Sequence, residues 1–164
     1  HRTMVPEEEY KNGHILTSKT VTALANEGVK VNLGAHGQLQ GLGAHWELWM
    51  LQQGGLSNHE ALKAATINGA DYIGVADELG SLEKGKLADL IIMDKNPLEN
   101  IQNSNSVIYT MVNGRLYDVD TMNEIGNYST NRGKFYFEMD GHNQGVPVNL
   151  NTNSFTTPTC SCHN

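Results

Sequence analysis

Cysteine is almost missing from this sequence. The only two, Cys160 and Cys162, fall in the last five of 164 residues. With a single residue between them an intrachain disulfide would be strained, so a disulfide-stapled scaffold is excluded. Three readings of the pair stay open: a mobile tail, pairing with another chain, or a metal site shared with His163 and His142. Positive charge is also scarce. Eleven Lys and Arg stand against 18 Asp and Glu, a formal net charge of −7, with no basic patch to offset it; this argues against nucleic-acid or anionic-membrane partners. No apolar run approaches the roughly 18 residues needed to span a bilayer. The opening HRTMVPEEEY lacks the basic-then-apolar order of a signal peptide, and in a piece of a longer protein any signal would lie upstream. Missing too are H-E-x-x-H, zinc-knuckle, phosphate-loop and G-x-S-x-G motifs, so the familiar metalloprotease, nucleotide and serine-hydrolase patterns do not apply.

What is present reads as a globular chain, long enough to bury a sizeable core. Residues 1–13 are polar, and Glu7 to Glu9 suit a solvated loop. Ile15, Leu16, Val21, Leu24 and Ala25 fall mostly on one side of a helix over 14–27, stopped at Gly28. Val29, Val31 and Leu33 make a short strand ended by the glycine-rich loop Gly34–Gly43. A helix with Trp46, Leu48, Trp49 and Met50 follows over 44–53, its tryptophans expected to anchor packing. Ser57 and Glu60 fit a capping box opening a helix over 57–74. The order is helix, strand, loop, helix, that of one α/β-barrel unit.

The stretch Gly80 to Asp94, GSLEKGKLADLIIMD, organises the rest. Turns at Gly80-Ser81 and at Glu83 to Lys86 suit exposed bends, and Ala88 to Met93 is an apolar run of strand length with both faces expected to be covered. Its partner is Val107 to Val112, ending in Asn113-Gly114, the dipeptide most favourable for a tight hairpin, then Arg115 to Tyr117. The sequence Gly80-Ser81-Leu82-Glu83, Gly85-Lys86, Ala88-Asp89-Leu90-Ile91-Ile92, Asp94, followed by Met111-Val112-Asn113-Gly114-Arg115, resembles the C-terminal end of the amidohydrolase superfamily, of the imidazolonepropionase- and prolidase-like kind. Leu56, Glu60, Ala61, Leu62, Ala64, Ala65, Thr66, Asn68 and Ala70 are similar to a further segment of that family.

The resemblance implies an α/β fold. Residues 1–79 would supply the last strand-helix units of a (β/α)₈ barrel, with 14–27 as the seventh helix, Val29 to Leu33 as the eighth strand and 44–54 as the eighth helix. Residues 80–126 would form part of a small β-sandwich, and 127–164 an extended Asn- and Gly-rich tail with one strand at Lys134 to Met139. Asp118 to Gly126 is similar to large exported amidohydrolases that carry a propeller ahead of the barrel, which implies an exported location. Asn127-Tyr128-Ser129 matches a glycosylation acceptor. One strand-helix unit cannot close a barrel, so residues 1 to about 55 are expected to be ordered only against the remaining barrel or other copies of the chain.

Barrel chemistry sits at the C-terminal ends of the strands, which singles out Gly34–Gly43. Family members place an aspartate there, binding metal and taking a proton from the attacking water; this chain has His36. Histidine can ligate zinc or act as a base near neutral pH, but it lacks the charge that balances the metal, and a loop-bracing histidine is the other reading. Gln38 and Gln40 would offer amides to the substrate. The family's remaining ligands, an H-x-H and two later histidines, have no counterpart here. His45 and Glu47 diverge on their helix, so joint ligation is not expected, and His14 and His59 read as helix-start residues. The implied function is divalent-metal hydrolysis, by zinc in the first instance, of amide, peptide or cyclic C–N bonds in a small-molecule or peptide substrate, with the chain alone not catalytic. The alternative is a non-catalytic binding or assembly module that keeps the fold.

Overall fold

The computed structural model describes residues 13–37, 39–135 and 138. The readings made above for residues 1–12, for Gln38 and for the tail with His142, Cys160, Cys162 and His163 lie outside them. Contacts divide the chain into two units, residues 1–131 and 132–164.

Among the described residues the first unit opens with four helices. Helix α1, Gly13–Asn26, and helix α2, Leu42–Gln53, pack side by side. They approach where Ser18, buried with its hydroxyl donating to the His14 carbonyl at 2.8 Å, faces Gly54, which has no side chain to keep the helices apart. Helix α2 stops where a 6→1 bond, Leu56 N–H to the Leu51 carbonyl at 3.3 Å, closes over Gly55 at φ 115°, the C-cap that glycine permits. Leu48, Leu51, Leu56, Ala61, Ala64 and Ile101 form the core, with Val21, Ala25, Val31, Leu33, Trp49 and Leu62 against it.

Two expectations for this region need correction. Residues 57–74 are not one helix but α3, Asn58–Ala64, and α4, Ile67–Tyr72. Thr66 sits at φ −136°, ψ −100° between them. A continuous helix would give the Ala64 carbonyl to residue 68; here it accepts the Leu33 N–H at 3.0 Å, while the Asn68 side-chain amide donates to the Val31 carbonyl at 3.0 Å. The strand expected at Val29 to Leu33 forms no ladder among the described residues; two of its backbone groups, the Leu33 N–H and the Val31 carbonyl, are bonded to helices α3 and α4 instead. Ser57 does cap α3, accepting from the Glu60 N–H at 3.1 Å, whereas the Glu60 carboxylate meets Lys63 at 3.3 Å instead of closing the box.

The chain then enters an antiparallel meander, β1 Leu90–Met93, β2 Val107–Val112, β3 Arg115–Asp118 and β4 Glu124–Ile125, with a 3₁₀ helix at Ile101–Asn105 between β1 and β2. The Asn113-Gly114 hairpin forms as read, both residues at positive φ (49° and 77°), the geometry whose twist matches the flanking strands. Strand β4 has no signal in the sequence because two residues carry no period. The turn Glu83–Lys86 closes through the Lys86 N–H to the Glu83 carbonyl at 3.2 Å. Lys86 itself is not an exposed bend residue, however. Its side chain is 12% exposed and its ammonium reaches the Ala76 carbonyl at 2.6 Å, Ser81 Oγ at 2.5 Å and Glu83 at 3.1 Å. Nor are both faces of β1 covered: Ile91 and Ile92 are 48% and 39% exposed, because the open sheet has no second layer against it among the described residues. In the second unit, the strand expected at Lys134 to Met139 is not seen at Lys134 and Phe135. There Phe135 N–H donates to the Glu138 carboxylate, which also pairs with Arg132.

Strands β3 and β4 are locked by Arg115, whose guanidinium forks onto Glu124 at 2.5 and 2.6 Å, the carboxylate side chain being 2% exposed. The hydrogen bond from Arg115 holds the Glu124 carboxyl below its ordinary range. Its contribution to stability is therefore complete above the unfolded carboxylate value and is lost as pH falls through the lower folded value. Melting curves of the wild type and Glu124→Gln should differ most at neutral pH and converge on acidification. A gap that does not depend on pH would show that the ion pair is not what locks β4.

Candidate functional site

The loop after the extended segment 29–33 is built on backbone conformations that few residues accept. Gly37 and Gly41 both lie at φ 74°, and His36 between them and the segment lies at φ 57°. A tight turn from Gly37 N–H to the Ala35 carbonyl at 2.8 Å puts the imidazole on the outside, where it is exposed. Leu42 N–H to the Gln40 carbonyl at 2.9 Å and Gly43 N–H to the Leu39 carbonyl at 2.8 Å close the far end as helix α2 begins. Gln40 is exposed, and no hydrogen bond among the described residues joins it to His36. The other predicted amide, Gln38, lies outside those residues.

Helix α2 fixes the near end of the loop. The Glu47 carboxylate accepts the Gly34 N–H through both oxygens, at 3.1 and 3.0 Å. Two residues earlier His45 turns elsewhere, its Nδ1 lying 3.1 Å from Ser104 Oγ. The divergence expected of these two side chains is therefore present, and each finds a definite partner. Trp49, one turn on, donates its indole N–H to the Ile101 carbonyl at 3.1 Å and to Ser104 Oγ at 3.0 Å. Burial holds the His45 imidazole below its ordinary pKa. Ser104 had no signal in the sequence, since nothing local distinguishes it from the other serines. His14 does more than open its helix, its Nε2 lying 3.1 Å from Gln53 Oε1.

At the opposite end of the extended segment a recess of about 220 Å³ is lined by Val29, Lys30, Glu60, Lys63 and Asn68, among others. It lies away from the loop at 34–41, which remains the candidate site.

Comparison with known proteins decides the family. The model of the amidohydrolase family matches residues 8–117, a range that takes in the segment 29–33, the His36 loop, helices α2 to α4 and the hairpin.

The chain belongs to the amidohydrolase family. It is 37% identical over 111 residues to a 5-methylthioadenosine/S-adenosylhomocysteine deaminase of Teredinibacter turnerae, a match covering 59% of this chain and 25% of the relative. It is 62% identical over 39 residues to an imidazolonepropionase of Symbiobacterium thermophilum, covering 24% of this chain and 9% of the relative. Among solved structures, a Xaa-Pro dipeptidase with bound methionine superposes with a TM-score of 0.57 at 33% identity, over 62% of this chain and 25% of that one. The chain thus spans a quarter or less of the length of these relatives. Amidohydrolases generally depend on a metal. Among the described residues no group of three or more His, Cys, Asp and Glu side chains is placed to hold one, so these residues do not by themselves make a metal site. Nor is any described helix long and apolar enough to cross a membrane.

Proposed function

We propose that this amidohydrolase chain completes a (β/α)₈ barrel whose remainder is other protein, and that the assembled enzyme hydrolyses C–N bonds with a divalent metal, zinc in the first instance. Residues 1–79 would be barrel, 80–126 the chain's share of a β-sandwich and 127–164 the tail. The observation that carries the reading is the family match, whose range takes in both the segment-loop-helix unit at 29–53 and the sheet as far as residue 117. Two features of the fold support it. Val31 and Leu33 pack on the helical core, and the segment 29–33 that carries them has no strand beside it among the described residues, as a barrel strand awaiting its neighbours would. Ile91 and Ile92, on opposite faces of β1, leave apolar surface on both sides of the sheet, one of which a second sheet would cover.

The relatives are a deaminase, an imidazolonepropionase and a dipeptidase, which together favour an amide, peptide or ring C–N bond as the substrate class. In this reading His36 points into the barrel mouth as a metal ligand or as the base for water, and Gln38 and Gln40 present amides to the substrate. The likeness of 118–126 to exported amidohydrolases favours a location outside the cytoplasm. The second reading, a non-catalytic binding module, is favoured by one observation: His36 stands where the family keeps a carboxylate. Hydrolysis of Xaa-Pro dipeptides and deamination of adenosine derivatives should be assayed with the complete protein and with the 164-residue chain. The complete protein should turn over, lose activity to a chelator and regain it with zinc, and the chain alone should do neither. Chelator-resistant hydrolysis, or turnover by the chain alone, would refute the proposal, and no turnover at all would favour the module.

A further inference from the structure

The three polar groups that meet between helix α2 and the 3₁₀ helix can be satisfied in one protonation state only. Trp49 Nε1–H is a donor and nothing else, so at 3.0 Å Ser104 Oγ accepts from it. Ser104 is 3% exposed, and among the described residues its hydroxyl oxygen has two partners, Trp49 and His45. The Ser104 hydrogen therefore has one acceptor in reach, His45 Nδ1 at 3.1 Å. That bond requires Nδ1 without a proton, and hence the neutral imidazole with its hydrogen on Nε2. An imidazolium would turn Nδ1 into a donor and strand the buried Ser104 hydrogen, which costs on the order of 1–3 kcal/mol.

We propose that His45, Ser104 and Trp49 form a pH-sensitive latch that fastens helix α2 to the turn Ile101–Asn105 and opens when the imidazole takes up a second proton. The latch does not depend on which reaction the assembled enzyme performs. Its surroundings offer nothing to stabilise the cation. The Ile101–Asn105 helix has no titratable residue. On helix α1, His14 bonds Gln53, and Lys19 is exposed. On α3, Glu60 is engaged with Lys63, and His59 lies 3.7 Å from the same carboxylate. On α2 itself, Glu47 is committed to the Gly34 amide. His45 also lies at the end of the first turn of α2, where the helix dipole disfavours positive charge. Because burial lowers the folded value, the latch is intact above the ordinary histidine pKa of about 6.5. As pH falls through that value the unfolded chain binds the proton first, so the folded form loses stability progressively until the folded imidazole is itself protonated.

Opening would free the helix that holds the His36 loop at Gly34. Nitrogen-15 NMR of the complete protein, in which the rest of the barrel is present, tests this. The neutral imidazole of His45 should carry its proton on Nε2, and the Trp49 indole N–H resonance should shift with the same midpoint as His45 while that of Trp46 does not. The amides of helix α2 should exchange about tenfold faster below that midpoint. Asparagine places an amide oxygen near the position of Nδ1, so His45→Asn should keep the Trp49 signal at pH 8 and lose its pH dependence. A proton on Nδ1 at neutral pH, a Trp49 signal indifferent to the titration, or an undiminished step in His45→Asn would each overturn the latch. Should that variant not fold, the wild-type tautomer decides by itself.

Discussion

Replacing His36 by asparagine in the complete enzyme should lower turnover at least about a hundredfold and move the melting temperature little, as loss of a general base or metal ligand would. Asparagine is the appropriate probe because of the backbone. His36 lies at φ 57°, a conformation that asparagine accepts and alanine resists at roughly 1–2 kcal/mol. Alanine would therefore confuse lost chemistry with a strained loop. The imidazole makes no hydrogen bond among the described residues, so asparagine removes no contact seen there. His36→Asp adds a second arm: it returns the carboxylate that the family uses, with the charge that balances a bound metal. Retained or increased activity in the aspartate variant together with loss in the asparagine variant places His36 in the reacting group. Unchanged turnover in both variants would end the assignment and leave the histidine as a loop residue.

Gly54→Ala should be the most damaging single change in the helical part. An added Cβ would lie 2.3 Å from the Ser18 carbonyl carbon and 2.5 Å from its oxygen. Both are backbone atoms of helix α1, which cannot swing aside as the end of a long side chain could. The backbone of Gly54 is ordinary, at φ −73°, so the penalty is purely one of space. Helices α1 and α2 would have to separate and loosen the packing around Leu48 and Leu51. Overpacking of this kind costs about 1–3 kcal/mol and sometimes more, a large share of the roughly 5–15 kcal/mol that holds a domain together. Gly69→Ala is the matched control. It sits inside helix α4 with no atom within 4 Å of a new Cβ, and should stabilise by roughly 0.5–1 kcal/mol through helix propensity. Denaturant midpoints of the two variants should move in opposite directions. A Gly54→Ala chain as stable as the wild type would mean that the helices are not in close contact at Ser18.

Local rules made most of the elements readable. The apolar spacing in 14–27 and 44–53 marks helices, although in the first Leu16 and Leu24 are exposed and only Val21 and Ala25 meet the core, and Asn113-Gly114 marks a hairpin because both residues accept positive φ. The ordered signature from Gly80 to Asp94, continued at the hairpin, carried the family assignment that the comparison bears out. The candidate site was legible only as a place, the loop after Leu33, since its position follows from the order of the elements. Its internal supports were not legible, because Glu47 meets Gly34 across 13 residues and His45 meets Ser104 across 59.

By itself, then, the sequence determined the helices, the turns, the hairpin and the family, all properties of residues close together along the chain. Tertiary structure alone decided the rest. It broke helix 57–74, because the Leu33 amide claims the Ala64 carbonyl. It turned Lys86 inward, because the Ala76 carbonyl and Ser81 need a donor there. It also made Ser104 a buried junction, because helix α2 brings Trp49 and His45 to the same hydroxyl. In each case a polar group removed from water had to find a partner, and the partner lay where only folding could bring it.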